Sequence, residues 1–504
     1  MPQLIHLPEP KLRFGFEQAV EDPRDGLMLF GPLEQAKPYG IRSGVIGTSQ
    51  SIDLFKKWVK KIQCPVNDKN PSEARPPFPG FEAVFGIPWS PTPTLEVTIP
   101  SRELDETIRI DDAHIRVYRT VELFEKRIIE SIRNEDVDID VWFVIIPDSV
   151  YQFGRPKSVV PVAEQIKVSS RLSPSKARKL LVQSTMFQED RDAAEPYYYD
   201  VHFHNQLKAR LLNYNVVTQI IRESTLIQED WSHRVNELPR GNDNTQTAIA
   251  WNLSTTAFYK TGGKPWKLAN VRKGVCYIGL VFKQDTRNAD PRSACCAAQM
   301  FLDSGDGVVF KGALGPWYKM KKSDFHLSTK AAYELVSTAM SSYKERVGSL
   351  PSELFIHGKI RLDDEDEWNG FKDAAGLNTN IVGVRIREDN ELKLYRLMEY
   401  PVLRGMAYVK DDKTAYLWSK GFVPRLKTYV GREVPWPLSI EICRGDADIN
   451  TILNDILALT KLNYNTCIYA DGVPVTLRFA DAVGEILTAG PTDKTPPLTF
   501  KHYI

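Results

Sequence analysis

The chain has 504 residues, 42% of them hydrophobic, which is enough for about two to four domains, each with its own core. Its 65 Lys and Arg residues nearly balance 64 Asp and Glu residues, and the net charge of +1 excludes a globally basic protein that attracts polyanions over its whole surface. No apolar run reaches the roughly 18 residues of a membrane span, and the N-terminal residues lack the basic and apolar regions of a signal peptide, so we expect a cytoplasmic protein without membrane partners.

The first half of the chain reads as alternating helices and buried strands. Apolar residues recur at helical spacing over 123–132, and the continuous apolar run VWFVIIP at 141–147 follows as a central strand. This order is typical of an α/β fold. The stretch 169–199 is charged and has few large apolar residues, which predicts a surface excursion.

The second half opens with the strand-like run GVCYIGLVF at 274–282. Further strands are predicted at 354–356, 381–386 and 438–442, with helices at 328–347 and 446–462. This pattern predicts a mixed sheet flanked by helices. Gly262-Gly263 is a helix stop, so we place the boundary near Pro265 and divide the chain into units 1–265 and 266–504.

Several potential donors to an anion lie between residues 204 and 260 of the first unit. His204 and Lys208 are four residues apart, so on a helix they project from one face. Gln219 is a polar insertion in the strand-like run VVTQII, and Lys260 ends a predicted helix over 247–259. Each signal alone is ordinary, because such a His/Lys pair is usually a solvated helix face and a terminal Lys usually complements the helix dipole. Together these side chains supply the donors that a terminal phosphate needs.

The order H-x-x-x-K, then Gln, then Lys before Gly-Gly resembles the 5' phosphate pocket of Argonaute MID domains. The block LTKLNYNTCIYADGVPVTLRFADAVGEIL and the ending FKHYI resemble the closing segment of a PIWI domain. The resemblance implies a Rossmann-like MID domain, 1–265 with an N-terminal extension, that binds the guide's 5' end, and an RNase H-like PIWI domain over 266–504. It also implies that Mg²⁺ bridges the guide phosphate and the carboxylate of Ile504, with Arg478 as an additional contact. Thr256 departs from the family, since many relatives have a basic or amide residue there.

The PIWI resemblance also bears on nuclease chemistry, which uses carboxylates to hold two metal ions. In this family the first catalytic Asp follows I-G-x of the opening strand, and here Val281 occupies that position. A later strand normally supplies another Asp, where PSELFIHGKI has His357 instead. We therefore expect no catalytic residues and no cleavage by this chain.

Further motifs resemble short prokaryotic Argonautes, which have MID and PIWI domains without the N and PAZ domains of longer relatives. The resemblance implies a short 5'-phosphorylated guide, expected to be RNA, and invading single-stranded DNA as its target. It also implies an associated TIR-APAZ protein that consumes NAD in antiphage or antiplasmid defence, with Sir2-APAZ as the alternative partner, in a heterodimer that assembles further on target binding. Two hypotheses stay open beside this one: a guide-directed metal-dependent nuclease with unorthodox ligands, and a structural scaffold with a vestigial pocket. The segments that carry this resemblance are DPRDGLMLFGPL, YGIRSGVIGT, FPGFEAVFG, DVWFVIIPDSVYQFGRPKS and FLDSGDGVVFKGALGPWY.

Overall fold

A computed structural model shows two α/β units built on separate sheets. The structure describes residues 2–68, 71–168, 172–182, 188–227, 246–270, 272–284, 293–301, 307–319, 324–389, 391–429, 431, 433–491 and 499–503. Among the helices of these ranges, none combines the length and the apolar character that crossing a bilayer requires.

Strands and helices alternate through the first half of the chain. The strands are β1 (Gln3–His6), β2 (Leu12–Arg13), β3 (Ala19–Val20), β4 (Ser43–Gly47), β5 (Leu95–Thr98), β6 (Val141–Ile146), β7 (Thr218–Arg222) and β8 (Lys267–Leu268). The helices are α1 (Pro23–Phe30), α2 (Ser49–Lys61), α3 (Phe81–Phe85), α4 (Ser101–Ile108), α5 (Ala113–Asn134), α6 (Asp148–Phe153), α7 (Pro174–Val182), α8 (Gln188–Ala194), α9 (Phe203–Leu212), α10 (Glu223–Leu226) and α11 (Gln246–Lys260).

The second half contains the larger sheet and four long helices within the described ranges. The strands are β9 (Val275–Gln284), β10 (Ser293–Phe301), β11 (Gly307–Pro316), β12 (Tyr318–Lys319), β13 (Asp324–Phe325), β14 (Glu353–Gly358), β15 (Asn380–Glu388), β16 (Met406–Val409), β17 (Thr414–Leu417) and β18 (Leu438–Arg444). The helices are α12 (Thr329–Val347), α13 (Glu365–Ala375), α14 (Ile449–Leu459) and α15 (Val475–Leu487).

The first unit is built on a parallel sheet in the order β5-β4-β6-β7. Every residue of β4 and β6 is buried, because helices cover both faces of the sheet. The apolar run at 141–147 is therefore confirmed as a central strand, preceded by the predicted helix. α11 ends shortly before Gly262, whose φ of +101° glycine adopts without strain.

The second unit has an RNase H-like arrangement of strands. Within the described residues its sheet has the order β1-β16-β17-β18-β15-β14-β9-β10-β11. β9, β10 and β11 are antiparallel neighbours, while β14 lies parallel to both β9 and β15. α12 precedes β14 and α13 connects β14 to β15. The predicted mixed sheet with intervening helices is confirmed.

The first strand of the chain belongs to the sheet of the second unit. β1 pairs antiparallel with β16, so Gln3 lies opposite Val409 and His6 opposite Met406. β2, β3 and β8 form a small sheet of their own that joins residues on both sides of Pro265. Sequence analysis assigned residues 3–6 to the first unit, and the structure instead uses them to cover the β16 edge of the larger sheet.

The stretch predicted as a surface excursion has more structure than expected. Its described parts contain α7 and α8, followed by a 3₁₀ turn over Glu195–Tyr198. The helices form a small hydrophobic cluster with the end of α4 and the start of α5, and the buried members of this cluster are Ile110, Ile115, Ala177, Ala194 and Tyr197. A few small and aromatic side chains suffice for this packing. The charged residues around them outnumber them, so the sequence pattern did not indicate a buried cluster.

Candidate phosphate site and expected catalytic positions

Two buried lysines from different helices converge on one backbone carbonyl. Lys208 lies on α9 and Lys260 is the last residue of α11. The Nζ atom of Lys260 donates to the carbonyl oxygen of Thr218 over 2.7 Å, and that of Lys208 donates to the same oxygen over 3.4 Å. Their exposed fractions are 2% for Lys208 and 0% for Lys260. Thr218 begins β7, so the edge strand of the parallel sheet fixes the point where the two lysines meet.

Burial makes it costly for both ammonium groups to be charged. It lowers the pKa of Lys208 to about 7. The pKa of Lys260 falls well below its ordinary value, mainly through burial and secondarily through the charge of Lys208. A bound anion would favour the charged form of both groups and raise both pKa values again. The pair therefore has the electrostatic properties of an anion site.

Two histidines complete the surroundings of the lysines. His204, one helical turn before Lys208, has a pKa lowered to about 3 by burial and then by the Lys208 charge. The pKa of His502 is lowered to about 4, first by burial, with Lys208 and Lys260 also contributing. Both imidazoles are thus neutral at pH 7 and offer hydrogen bonds without adding charge.

Gln219 is hydrogen-bonded to one of the lysines, whereas the hydroxyl of Thr256 bonds to backbone carbonyls. The side-chain oxygen of Gln219 accepts a hydrogen bond from Lys260 over 2.6 Å. The hydroxyl of Thr256 instead donates to the carbonyl of Asn252 over 2.8 Å and contacts the carbonyl of Tyr464 over 3.4 Å. The predicted members His204, Lys208, Gln219 and Lys260 therefore come together, while Thr256 ties α11 to the second unit.

The C-terminal tail folds inward against the same region. Phe500 packs on Phe479 of α15 with ring centroids 4.0 Å apart, and His502 and Tyr503 are buried. His502 is not among the residues predicted from sequence; the one signal for it is that a tail expected to fold inward brings the residues before Ile504 with it. Ile504, the expected metal ligand, lies outside the described residues.

Arg478 is paired with a carboxylate in the structure. Its guanidinium binds Asp471 over 2.9 Å, and 46% of its side chain is exposed. Among the described contacts, none joins Arg478 to Lys208 or Lys260. The start of α15 after Pro474 is as predicted, and Phe479, the residue after Arg478, packs against the tail.

A cavity of about 510 Å³ lies beside the lysine pair, between the first unit and α15. His204, Asn205 and Tyr503 contribute to its wall near the lysines. Helix α6, the end of β7 and the inner face of α15 supply other parts, including Tyr151, Arg155, Arg222, Ala482 and Glu485. Its volume lies within the range of small-ligand pockets, roughly 300–1,000 Å³.

The two positions expected to lack carboxylates are buried against α15. Val281 has 6% exposure and His357 has 1%. Nδ1 of His357 lies 3.0 Å from the Thr476 hydroxyl, and burial lowers the pKa of this histidine to about 3. His357 pairs with Gly279 across β14 and β9, where an added Cβ would lie 1.9 Å from the Thr476 carbonyl oxygen. Because α15 packs closely on β9 and β14, its residues fill the space beside the two positions where catalytic carboxylates are expected in this fold.

Lysines and carboxylates pair where β9 and β14 approach α15. Lys283 binds Asp481 over 3.2 Å and Glu485 over 3.3 Å, and Lys359 also binds Asp481. Asp481 and Glu485 are thus already engaged with cations. Within the described ranges, no group of three or more His, Cys, Asp or Glu side chains could hold a metal ion.

The Rossmann-like sheet followed by the RNase H-like sheet is the MID–PIWI fold of Argonaute proteins. Solved structures similar to the chain include the Argonaute of Clostridium butyricum bound to a guide DNA and a 19-mer target DNA, at 15% identity and a TM-score of 0.64, over 98% of this chain and 54% of that one. The Argonaute of A. aeolicus matches at 15% identity and a TM-score of 0.54, over 97% and 53% of the two chains. Drosophila Piwi matches at 10% identity and a TM-score of 0.58, over 99% and 56%.

These similarities establish the fold, and the chain spans about half the length of each of these proteins. No family model and no curated protein matches the sequence.

Proposed function

We propose that the chain is a guide-binding Argonaute that holds the 5' phosphate of a short guide, pairs the guide with single-stranded target DNA and leaves the target uncut. The observation that carries this proposal is the convergence of Lys208 and Lys260 on the carbonyl of Thr218. A buried lysine pair is costly to maintain, and a terminal phosphate with nearly two negative charges offsets that cost through charge-assisted hydrogen bonds. The C. butyricum neighbour contains both a guide and a target strand, which supports the same ligand class here.

The site near the lysines suits a phosphate better than a metal ion held by protein alone. Its described side chains are lysines, neutral histidines and a glutamine, and the described residues contain no group that would hold a cation. Mg²⁺ here would thus depend on oxygens of the guide phosphate and of the C-terminal carboxylate of Ile504, which are suitable ligands for this ion. The inward fold of residues 499–503 supports that part of the proposal.

Inactivity as a nuclease is supported by the residues at the expected carboxylate positions. The Val281 side chain has no atom that can bind a metal ion, and the His357 imidazole is neutral and hydrogen-bonded to the Thr476 hydroxyl. Two-metal hydrolysis requires several carboxylates at one place, whereas the neighbouring Asp481 is bound by two lysines.

The effector part of the proposal rests on the resemblance of the sequence motifs to short prokaryotic Argonautes. In this proposal the guide is RNA, and target recognition activates a TIR-APAZ partner that depletes NAD in defence against phages or plasmids. The chain and its partner form a heterodimer that assembles further when target binds. A Sir2-APAZ protein is the alternative partner.

The test is a binding and cleavage assay with the purified chain. The chain is loaded with a 5'-phosphorylated guide and mixed with labelled complementary single-stranded DNA in the presence of Mg²⁺ or Mn²⁺. We expect retention of full-length complementary DNA and no retention of a scrambled sequence. Cutting at one defined position that EDTA abolishes would instead establish the nuclease alternative, and absence of guide binding would leave the scaffold alternative.

A further inference from the structure

A buried histidine–carboxylate pair joins the segment before α12 to the first turn of α13. Nδ1 of His326 lies 3.0 Å from Oε2 of Glu367, and the two side chains have exposed fractions of 2% and 1%. The other carboxylate oxygen of Glu367 accepts the backbone N–H of Leu327 over 2.9 Å. Glu367 therefore holds both a side chain and a backbone group of the segment that leads into α12.

The same pair fastens the β12–β13 hairpin, because His326 directly follows β13. Its backbone N–H donates to the Trp317 carbonyl over 2.9 Å and closes the base of the hairpin. Each of the two strands has only two residues, and a hairpin of that size is marginal on its own. A second contact to α13 runs from Lys319 of β12 to Asp364, the N-cap residue of that helix, over 2.7 Å. Two ionisable contacts thus hold the hairpin on α13.

The buried pair binds protons more readily than the same groups do in an unfolded chain. Burial opposes the charge of His326, but the hydrogen bond and the negative charge of Glu367 outweigh it, so the pKa of His326 is raised. Burial also raises the pKa of Glu367, and the hydrogen bonds from His326 and Leu327 offset this only in part. The other charged groups around the pair among the described residues are Lys319 of β12, Asp324 of β13 and, at the start of α13, Asp364 and Asp366. Three of these four are acids, which favours the protonated imidazole.

We propose that His326 and Glu367 form a pH-sensitive latch that holds the β12–β13 hairpin on α13 at acidic pH and loosens as the pH rises. Because the pKa of His326 is raised above its ordinary value of 6.5, the stabilisation is complete below 6.5 and is lost as the pH rises through the folded value. Glu367 is then a buried carboxylate without a positive partner, which is costly. The ring of Phe325 still stacks on Phe282 of β9, with centroids 5.9 Å apart, so the hairpin stays attached to the larger sheet. The latch is independent of guide binding.

The experiment measures amide hydrogen exchange of the full chain between about pH 6 and about pH 8, with each rate expressed as a protection factor against the intrinsic rate at that pH. The Leu327 amide is the reporter, since its hydrogen bond ends on Glu367. We expect its protection factor to fall several-fold as the pH rises, while the protection of the β6 amides does not fall. A local reporter is needed because the buried Lys208 also makes the global stability depend on pH.

Glu367→Gln tests the pair, because the amide keeps an acceptor for the Leu327 N–H and carries no charge. In this variant the protection of Leu327 should no longer fall as the pH rises. The double variant His326→Asn, Glu367→Gln removes both titrating groups and takes its place if the single variant does not fold. Glu334→Gln is the matched control, since the Glu334 side chain is 60% exposed on α12 and pairs with Lys330, so it should keep the pH dependence of the parent.

Two results would overturn the latch directly: a Leu327 protection factor in the parent that does not fall with pH, or an equal fall in the parent and in Glu367→Gln. A parallel fall in the protection of β6 would overturn it as well, because the change would then be global unfolding and not release of the hairpin.

Discussion

Replacing Lys208 by methionine should stabilise the protein while weakening its hold on a 5' phosphate. Methionine has nearly the same length and shape, so it fills the space of the lysine without its charge. Lys208 is buried and its pKa falls from 10.5 to about 7 in the folded chain. Between those two values the unfolded chain keeps a proton that the folded chain releases, so stability falls as pH decreases across this window.

The magnitude follows from that difference in pKa. At 1.36 kcal/mol per unit, the lowered pKa of Lys208 corresponds to a destabilisation at pH 7 on the order of 4 kcal/mol. Lys208→Met removes this cost, so the melting temperature should rise by several degrees. The same variant loses a charge-assisted hydrogen bond of roughly 1.5–3 kcal/mol to the phosphate. Affinity for a 5'-phosphorylated guide should therefore fall tenfold or more.

The assay combines thermal unfolding with binding of matched 5'-phosphorylated and 5'-hydroxyl oligonucleotides. Lys330→Met is the control, because the Lys330 side chain is 88% exposed on α12 of the other unit and its removal should change neither quantity. A Lys208→Met protein that is less stable than the parent and keeps the full preference for 5' phosphate would refute the reasoning.

Three further outcomes are expected. Affinity for a 5' phosphate should decrease as pH rises above 7, because Lys208, whose pKa burial lowers to about 7, must then be protonated on binding; a Kd that is flat up to about pH 9 would contradict this. Residues appended after Ile504 should impair guide loading while an N-terminal tag is tolerated, since the described tail is packed inward; equal guide affinity of both tagged proteins would show that the terminal carboxylate has no role. Val281→Asp should not produce target cleavage, because a single carboxylate cannot hold two metal ions; a cleaved target strand on a denaturing gel would disprove it.

Local sequence patterns predicted much of the fold. The apolar run at 141–147 and the opening strand at 274–282 are β6 and β9, because wholly apolar stretches of that length are typical of buried strands. The position of β1 could not be predicted in this way. Its four residues have little pattern of their own, and their partner strand begins at Met406.

In the candidate site, too, features set by local sequence could be predicted, whereas features set by packing between distant segments could not. The spacing of His204 and Lys208 indicated a shared helix face, and the structure places both beside Lys260 and Gln219. The carbonyl oxygen of Thr218, which accepts from both lysines, could not be predicted from the sequence, since every residue has a carbonyl group. Which face of α15 meets the tail depends on packing between distant elements, so the contact of Phe479 with Phe500 could not be predicted from local sequence, and the expected contact of Arg478 with the phosphate stays a prediction.

The most direct test of the central claim is the ratio of dissociation constants for two guides that differ only at the 5' end. The purified chain is titrated with one labelled strand carrying either a 5' phosphate or a 5' hydroxyl. Because Lys208 and Lys260 converge in a buried site suited to a dianion, we expect the phosphorylated strand to bind at least tenfold more tightly. Equal dissociation constants for the two strands would contradict the account.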